Sequence, residues 1–174
     1  MVEFQSRAFG PEHEEAVYRL FESSDFLYRT TLPTALGRAE IDALVADARV
    51  VLVDGVVVGL WSVDSLLWSH AGQLPDSGLY LLRLRLASTA PVSWWVEVYR
   101  RVLEHLRDRN GLARITFEVE EFDALGVEVA AALGLTAEGL LPELVEREGR
   151  RWGRWVYGAT WPVVVPSGRR EDRW

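Results

Sequence analysis

A chain of 174 residues with 49% hydrophobic and 26% charged residues holds enough apolar material for one well-buried domain, and its longest uncharged apolar runs fall far short of the roughly 20 residues a membrane span needs. A net charge of −7 argues against broad electrostatic binding to nucleic acid, which needs a basic surface to displace counterions. The chain has no Cys and all 19 of its basic residues are Arg, so disulfides, thiolate metal sites, a cysteine nucleophile and a lysine Schiff base are excluded. His13, His70 and His105 are too scattered for a metal signature, and no metal is expected. The opening MVEFQSRAFG lacks the basic-then-apolar order of a signal peptide, so a cytoplasmic location is expected.

Val2 to Phe9 alternates and reads as a first strand, after which Gly10 and Pro11 open a helix carrying Ala16, Val17, Leu20 and Phe21 at helical spacing. A second helix, about Arg38 to Asp47, presents Ile41, Leu44, Val45 and Ala48 on one side. The period then changes to that of a strand. Arg49 to Val53 and Val56 to Val63 are β-branched runs joined by Asp54-Gly55, a pair that tolerates the positive φ of a type I′ turn. A polar connection from Asp64 to Gly78, carrying Trp68 and His70, leads to the strand Leu79 to Ala87. There Leu82, Leu84 and Leu86 face one way and Arg83 and Arg85 the other, so the second face is either solvated or lines a cleft.

The helical period returns from Ser93 to Asn110, with Trp95, Val98, Tyr99, Val102 and Leu106 on one stripe, Ser93 placed to cap and Gly111 to stop it. Arg114 to Glu120 is the next strand. An Ala-rich helix from about Asp123 to Leu133 ends at Gly134, and a β pair follows around Glu143 to Arg147 and Trp152 to Thr160. His13 and His105 read as exposed helix residues. No spacer interrupts residues 1–165, which read as one domain, and the tail 166–174 reads as frayed.

The segments "RVVLVDGVVVGLWSV" at 49–63, "AAALGLTAEG" at 130–139 and "GRRWGRWVYGATW" at 149–161 resemble the central hairpin, the late helix-turn and the last hairpin of the GNAT superfamily of N-acyltransferases. In the second of these, Leu133, Gly134, Leu135, Glu138 and Gly139 match the family pattern position by position. The resemblance, over nearly the whole chain, implies an α+β fold: a mixed, mainly antiparallel central sheet flanked by helices. It also implies a cleft where two adjacent strands splay apart to take an acyl thioester. In that cleft a pantetheine arm would pair with main chain at Leu86, Ala87 and Ser88, and a pyrophosphate would sit on the next helix's N-terminus, where unpaired N–H groups favour anions. The cofactor-side candidates are therefore Leu86, Ala87, Ser88, Ser93, Trp94, Trp95 and Asp123.

Two departures from the family stand out. The family's glycine-bearing phosphate loop, Q/R-x-x-G-x-G/A, falls on Pro91 to Val96, which replaces the lead basic residue by Pro91 and the small residues by Trp94 and Val96. Ordinary coenzyme A affinity is expected to be weakened, because an indole stands where glycine lets backbone approach phosphate oxygens. Ala130 takes the place of the tyrosine that many members use to reprotonate the leaving thiolate, while Asp123 takes the place of an asparagine and can cap its helix. Glu118 and His70 are the candidate bases.

Arg83 and Arg85 either grip an acidic ligand through bidentate guanidinium bonds or face solvent beside neighbouring Glu residues. Phe26, Tyr28 and Arg29 fall on the family's acceptor-side lid and are the remaining substrate candidates; the alternative is a helix connection with buried aromatics. Trp61, Trp68, Trp152, Trp155 and Trp161 either wall a pocket or pack on the sheet. Two readings follow. The first is an acyltransferase acting on a small-molecule amine by direct attack, with acetyl-CoA or a pantetheine borne by an acyl carrier protein as donor. The second is a GNAT-like protein without acyl transfer that binds a small acidic ligand or a protein partner, or runs a different reaction in the same cleft. A homodimer through the Trp-rich last hairpin is compatible with either.

Overall fold

A computed structural model describes residues 2–22, 26, 36–65, 79–110 and 113–161. The elements in chain order are β1 (Phe4–Ala8), a 3-10 turn (Pro11–His13), α1 (Glu14–Glu22), α2 (Arg38–Val45), β2 (Arg49–Val53), β3 (Val56–Ser65), β4 (Leu79–Leu86), α3 (Val92–Asn110), β5 (Arg114–Glu120), α4 (Ala124–Ala132), β6 (Thr136–Arg147) and β7 (Arg150–Thr160). The strands form one mixed sheet in the order β1-β2-β3-β4-β5-β7-β6, in which β4 and β5 run parallel and the other described pairs antiparallel.

Strand alternation divides the apolar residues between the two sheet faces. Leu82, Leu84 and Leu86 of β4 and Ile115, Phe117 and Val119 of β5 pack under Trp95, Val98, Tyr99, Val102 and Leu106 of α3 and Val129 and Ala130 of α4. On the opposite face Val17, Tyr18 and Phe21 of α1 and Ile41 and Val45 of α2 cover Val50, Leu52 and Leu60. Leu44 departs from the expected stripe: it is exposed, at the mouth of the cleft described below.

Turn chemistry explains both hairpins. Asp54 and Gly55, at φ 49° and 79°, join β2 to β3 as the sequence predicts, and Glu148 and Gly149, at φ 55° and 71°, do the same for β6 and β7. β6 begins at Thr136, well before the predicted Glu143, because Gly139 and Pro142 disguise as a turn what is an irregular edge strand, a place where a sheet tolerates proline. Arg114 ties this early part of β6 to β5 through an ion pair with Glu138.

Two local expectations are corrected. α3 starts at Val92, and the Pro91 carbonyl accepts the Trp94 N–H at 2.9 Å, so Ser93 lies inside the first turn and is no cap. His13 is buried and His105 half-buried against the Trp61 ring, with centroids 6.0 Å apart, because the 3-10 turn and α3 both lean on the sheet instead of presenting these rings to solvent.

Gly59 controls how closely β3 and β4 approach. A Cβ there would lie 2.2 Å from the Arg85 carbonyl oxygen and 2.9 Å from the Leu86 Cα, and backbone atoms cannot swing aside as a side-chain tip can. Gly59→Ala is expected to destabilise the fold by about 1–3 kcal/mol, read as a lower denaturant midpoint. A midpoint equal to wild type would show that β4 has room to move.

Candidate active site

β4 and β5 pair only at Leu79↔Arg114, Tyr80↔Ile115 and Leu81↔Thr116. Past that point each strand is held by its other neighbour: β4 stays on β3 as far as Gly59↔Leu86, and β5 stays on β7 as far as Glu120↔Arg154. The two strands part, and the gap opens into a cavity of about 500 Å³ whose lining includes Arg83, Arg85, Trp95, Glu118, Glu120 and Arg154.

The main chain of β4 borders this gap. The Ala87 N–H donates to the Val58 carbonyl at 2.8 Å, and the Ala87 carbonyl accepts from Ala90 N–H at 2.9 Å, closing a turn across Ser88 and Thr89. Successive residues of an antiparallel strand point their main-chain groups to alternate sides, so Leu86 and Leu84 turn theirs towards the gap. Of the three positions expected to offer main chain, Leu86 faces the gap, as does Leu84, while the Ala87 N–H is bonded to β3 and Ser88 sits in the turn.

At the start of α3 the two tryptophans part company. The Trp94 ring meets Phe4 of β1 edge-on, with centroids 6.1 Å apart and planes at 89°, and is not in the cavity lining. The ring expected to obstruct a phosphate thus packs on β1, outside the cavity. Trp95 is buried and forms part of the cavity wall. Ser93 is exposed on the first turn.

The charged groups lie on the face turned away from α3. Continuing the register beyond Leu81↔Thr116 sets Arg83 level with Glu118 and Arg85 level with Glu120 across the gap. From β7, Arg154 donates to Glu120 Oε1 through Nε at 3.0 Å and Nη2 at 2.7 Å, and to Glu118 Oε2 through Nη1 at 3.1 Å. Burial alone would lower the pKa of this guanidinium, but the carboxylates, Glu120 foremost, hold it above the ordinary arginine value. Glu120 is buried, at 5% exposure, and its Oε2 has no hydrogen-bond partner among the described residues.

Arg83 and Arg85 differ in their surroundings. Arg83 Nε donates to Asp64 Oδ2 at 2.7 Å, so the solvated-face reading describes Arg83, with an Asp in place of the expected Glu. Arg85 is half-buried and has neither hydrogen bond nor ion pair among the described residues. Burial, with the adjacent Arg83 cation as a second cause, lowers its pKa from the ordinary arginine value.

The remaining candidates fall as follows. Asp123 caps α4, its Oδ1 accepting from the Gly126 N–H at 3.0 Å, which assigns this carboxylate a structural task at the cavity edge. Phe26 is a core residue packed edge-on against Phe21 at 5.0 Å, so the buried-aromatic alternative holds for it and the substrate contact does not. Ala130 is fully buried under the sheet. Tyr28, Arg29, Trp68 and His70 lie outside the described residues. The sequence reading missed Glu120 and Arg154; the Glu118-Val119-Glu120 alternation marks Glu120 as sharing Glu118's face, but nothing local assigns Arg154 to it.

No protein-family model matches the chain, and no curated protein does. Solved structures match over nearly all of it at low identity. An acetyltransferase of the GNAT family from Bacillus anthracis has a TM-score of 0.74 at 14% identity, covering 92% of this chain and 96% of its own. An N-acetyltransferase from Staphylococcus aureus Mu50 has 0.72 at 12%, covering 91% and 98%. A ribosomal L7/L12 alpha-N-protein acetyltransferase in complex with coenzyme A has 0.72 at 15%, covering 90% and 93%. The chain thus has the GNAT fold, in a divergent sequence.

The Arg154 fork gives a stability prediction. Arg154→Met strands the Glu120 carboxylate in a buried site and is expected to cost about 3–5 kcal/mol in urea unfolding, part of which a second change, Glu120→Gln, should restore. If the single and double variants unfolded at the wild-type midpoint, the fork would carry no weight in the fold.

Proposed function

We propose that the cleft transfers an acyl group from a thioester to a small-molecule amine by direct attack, with Glu118 as the general base. The observation that carries this reading is Glu118 itself: a carboxylate at the parting of β4 and β5, held in place by Arg154 through one oxygen and half-exposed to the cavity. The strand gap suits a pantetheine arm, with Leu84 and Leu86 offering main chain to it. A bound acyl thioester would supply the electrophilic carbonyl. As the amine attacks, the new C–N bond forms, the C–S bond breaks and Glu118 accepts the amine's proton. Arg154 keeps Glu118 oriented through its Nη1 hydrogen bond to Oε2. Ala130 has no proton to give, so the proton returned to the departing thiol comes from solvent.

The donor end is less well provided. The Trp94 ring leaves the corner open, but the Trp94 N–H is already spent on Pro91 and no basic residue stands at Pro91 to Val96. This favours a donor gripped through its pantetheine rather than its phosphates, such as a pantetheine on a carrier protein. The same corner, with Ala130, favours a second reading in which the cleft binds a small acidic ligand and transfers nothing.

Acetyl-pantetheine and acetyl-CoA titrations separate these outcomes. A ligand at 100 times its dissociation constant should stabilise the protein by about 2.7 kcal/mol, seen as a thermal shift, and thiol release should accompany an amine acceptor. Glu118→Gln should slow that release by about 10²–10⁴-fold while leaving the thermal shift of the thioester in place. Absence of both shift and thiol release with either thioester at millimolar concentration would leave only the binding reading. Trp94→Gly should not improve acetyl-CoA binding, because its ring packs on Phe4; a clear gain would return the ring to the phosphate corner.

A further inference from the structure

We infer that the amine accepted in this cleft carries its own anionic group, as an amino acid does, with Arg85 holding the anion while Glu118 faces the amine; this rests on the acyl-transfer reading for the fate of the amine, but not for its binding. Among the described residues three guanidinium groups line the cavity and two of them are already neutralised, Arg154 by Glu118 and Glu120 and Arg83 by Asp64. Arg85 is the exception among the described residues. It is half-buried, crowded by the Arg83 cation, and meets no described carboxylate. Removing a guanidinium from water without a counterion costs free energy, and an anionic ligand in the cavity offsets that cost while forming the bidentate pair for which arginine is shaped.

Placement decides which anion this is. Arg85 projects from the sheet face opposite α3, so a phosphate seated on the α3 N-terminus lies on the wrong side to meet it. It stands one alternation step outward from the level of Glu118, on the facing strand. With roughly 4.8 Å between paired strands and 3.3 Å per residue along them, the two Cα atoms are at least about 8 Å apart, and the parting of the strands adds to this. Two long side chains reaching across such a gap from opposite walls leave room for a small molecule bearing both charges. The walls are complementary to a zwitterion: on β4 a cation unpaired among the described residues, and on β5 a carboxylate with one oxygen engaged by them. A plain amine would leave Arg85 unneutralised, and a ligand with carboxylates at both ends would set one against Glu118.

The test uses the full chain without any thioester. The proteinogenic L-amino acids and their α-carboxamides are screened at millimolar concentration by tryptophan fluorescence and thermal shift, and binders are then titrated calorimetrically. At least one acid should bind, its amide at least about tenfold more weakly, and Arg85→Gln should remove that preference while melting at or above the wild-type temperature, since it discards a cation that has no partner among the described residues. Arg85→Lys, which keeps the charge and loses the fork, should fall between. The inference is overturned if no acid binds, if acid and amide bind alike, or if Arg85→Gln binds the acid as tightly as wild type. When acetyl-pantetheine is then added, acid binding without thiol release supports the Arg85 site and removes the acyl-transfer reading alone; thiol release equal for acids and amides removes the inference and leaves acyl transfer standing.

Discussion

Everything chemical in this molecule follows from a parallel ladder that stops after Leu81↔Thr116. β4 and β5 are each committed on their outer flank, to β3 and to β7, and both antiparallel pairings continue after the β4–β5 pairing has ended. Twisted strands tethered on opposite flanks diverge, and the divergence leaves main-chain groups of Leu84 and Leu86 facing open space inside a sheet whose other described strands are paired. Gly59 sharpens the effect, because the absence of a side chain there seats the outer end of β4 tightly against β3.

The parted strands also set the electrostatics. Side-chain alternation sends the leucines and aromatics of β4 and β5 into the core beneath α3 and sends Arg83, Arg85, Glu118 and Glu120 to the other face, so one strand brings cations to the cavity and its neighbour brings carboxylates. If the ladder continued, Arg83 would lie beside Glu118 and Arg85 beside Glu120, and the charges would pair with one another. Because it does not, each finds what its outer neighbour offers: Asp64 from β3 for Arg83, Arg154 from β7 for the two glutamates, and no described partner for Arg85. The polarity of the cavity is a by-product of sheet geometry.

The phosphate corner shows how far a substitution's effect depends on rotamer and neighbours. Tryptophan in place of glycine suggests obstruction, yet the Trp94 ring is drawn to Phe4 of β1 by edge-on packing, and the backbone, not the ring, accounts for what the corner lacks. Ala130 is the opposite case: a small residue, fully buried in the core, where the resemblance to the family leads one to expect a tyrosine.

Much of the architecture was legible in the residues because it is local. The Asp54-Gly55 turn, the α3 stripe from Trp95 to Leu106, the Leu/Arg alternation of β4 and the Asp123 cap each depend on neighbours within a few positions, where period and turn chemistry speak directly. Glu118 and Arg85 were readable as candidates for the same reason. What the sequence could not decide was company: that Asp64 neutralises Arg83 while Arg85 has no described partner, that Arg154 holds Glu118 and Glu120, that Phe26 belongs to the core, and that Trp94 turns to β1. Those outcomes depend on strand register and on where a sheet parts, which bring together residues up to 97 positions apart, as in the bond from Arg101 to the Phe4 carbonyl, and no period within the chain encodes such distances.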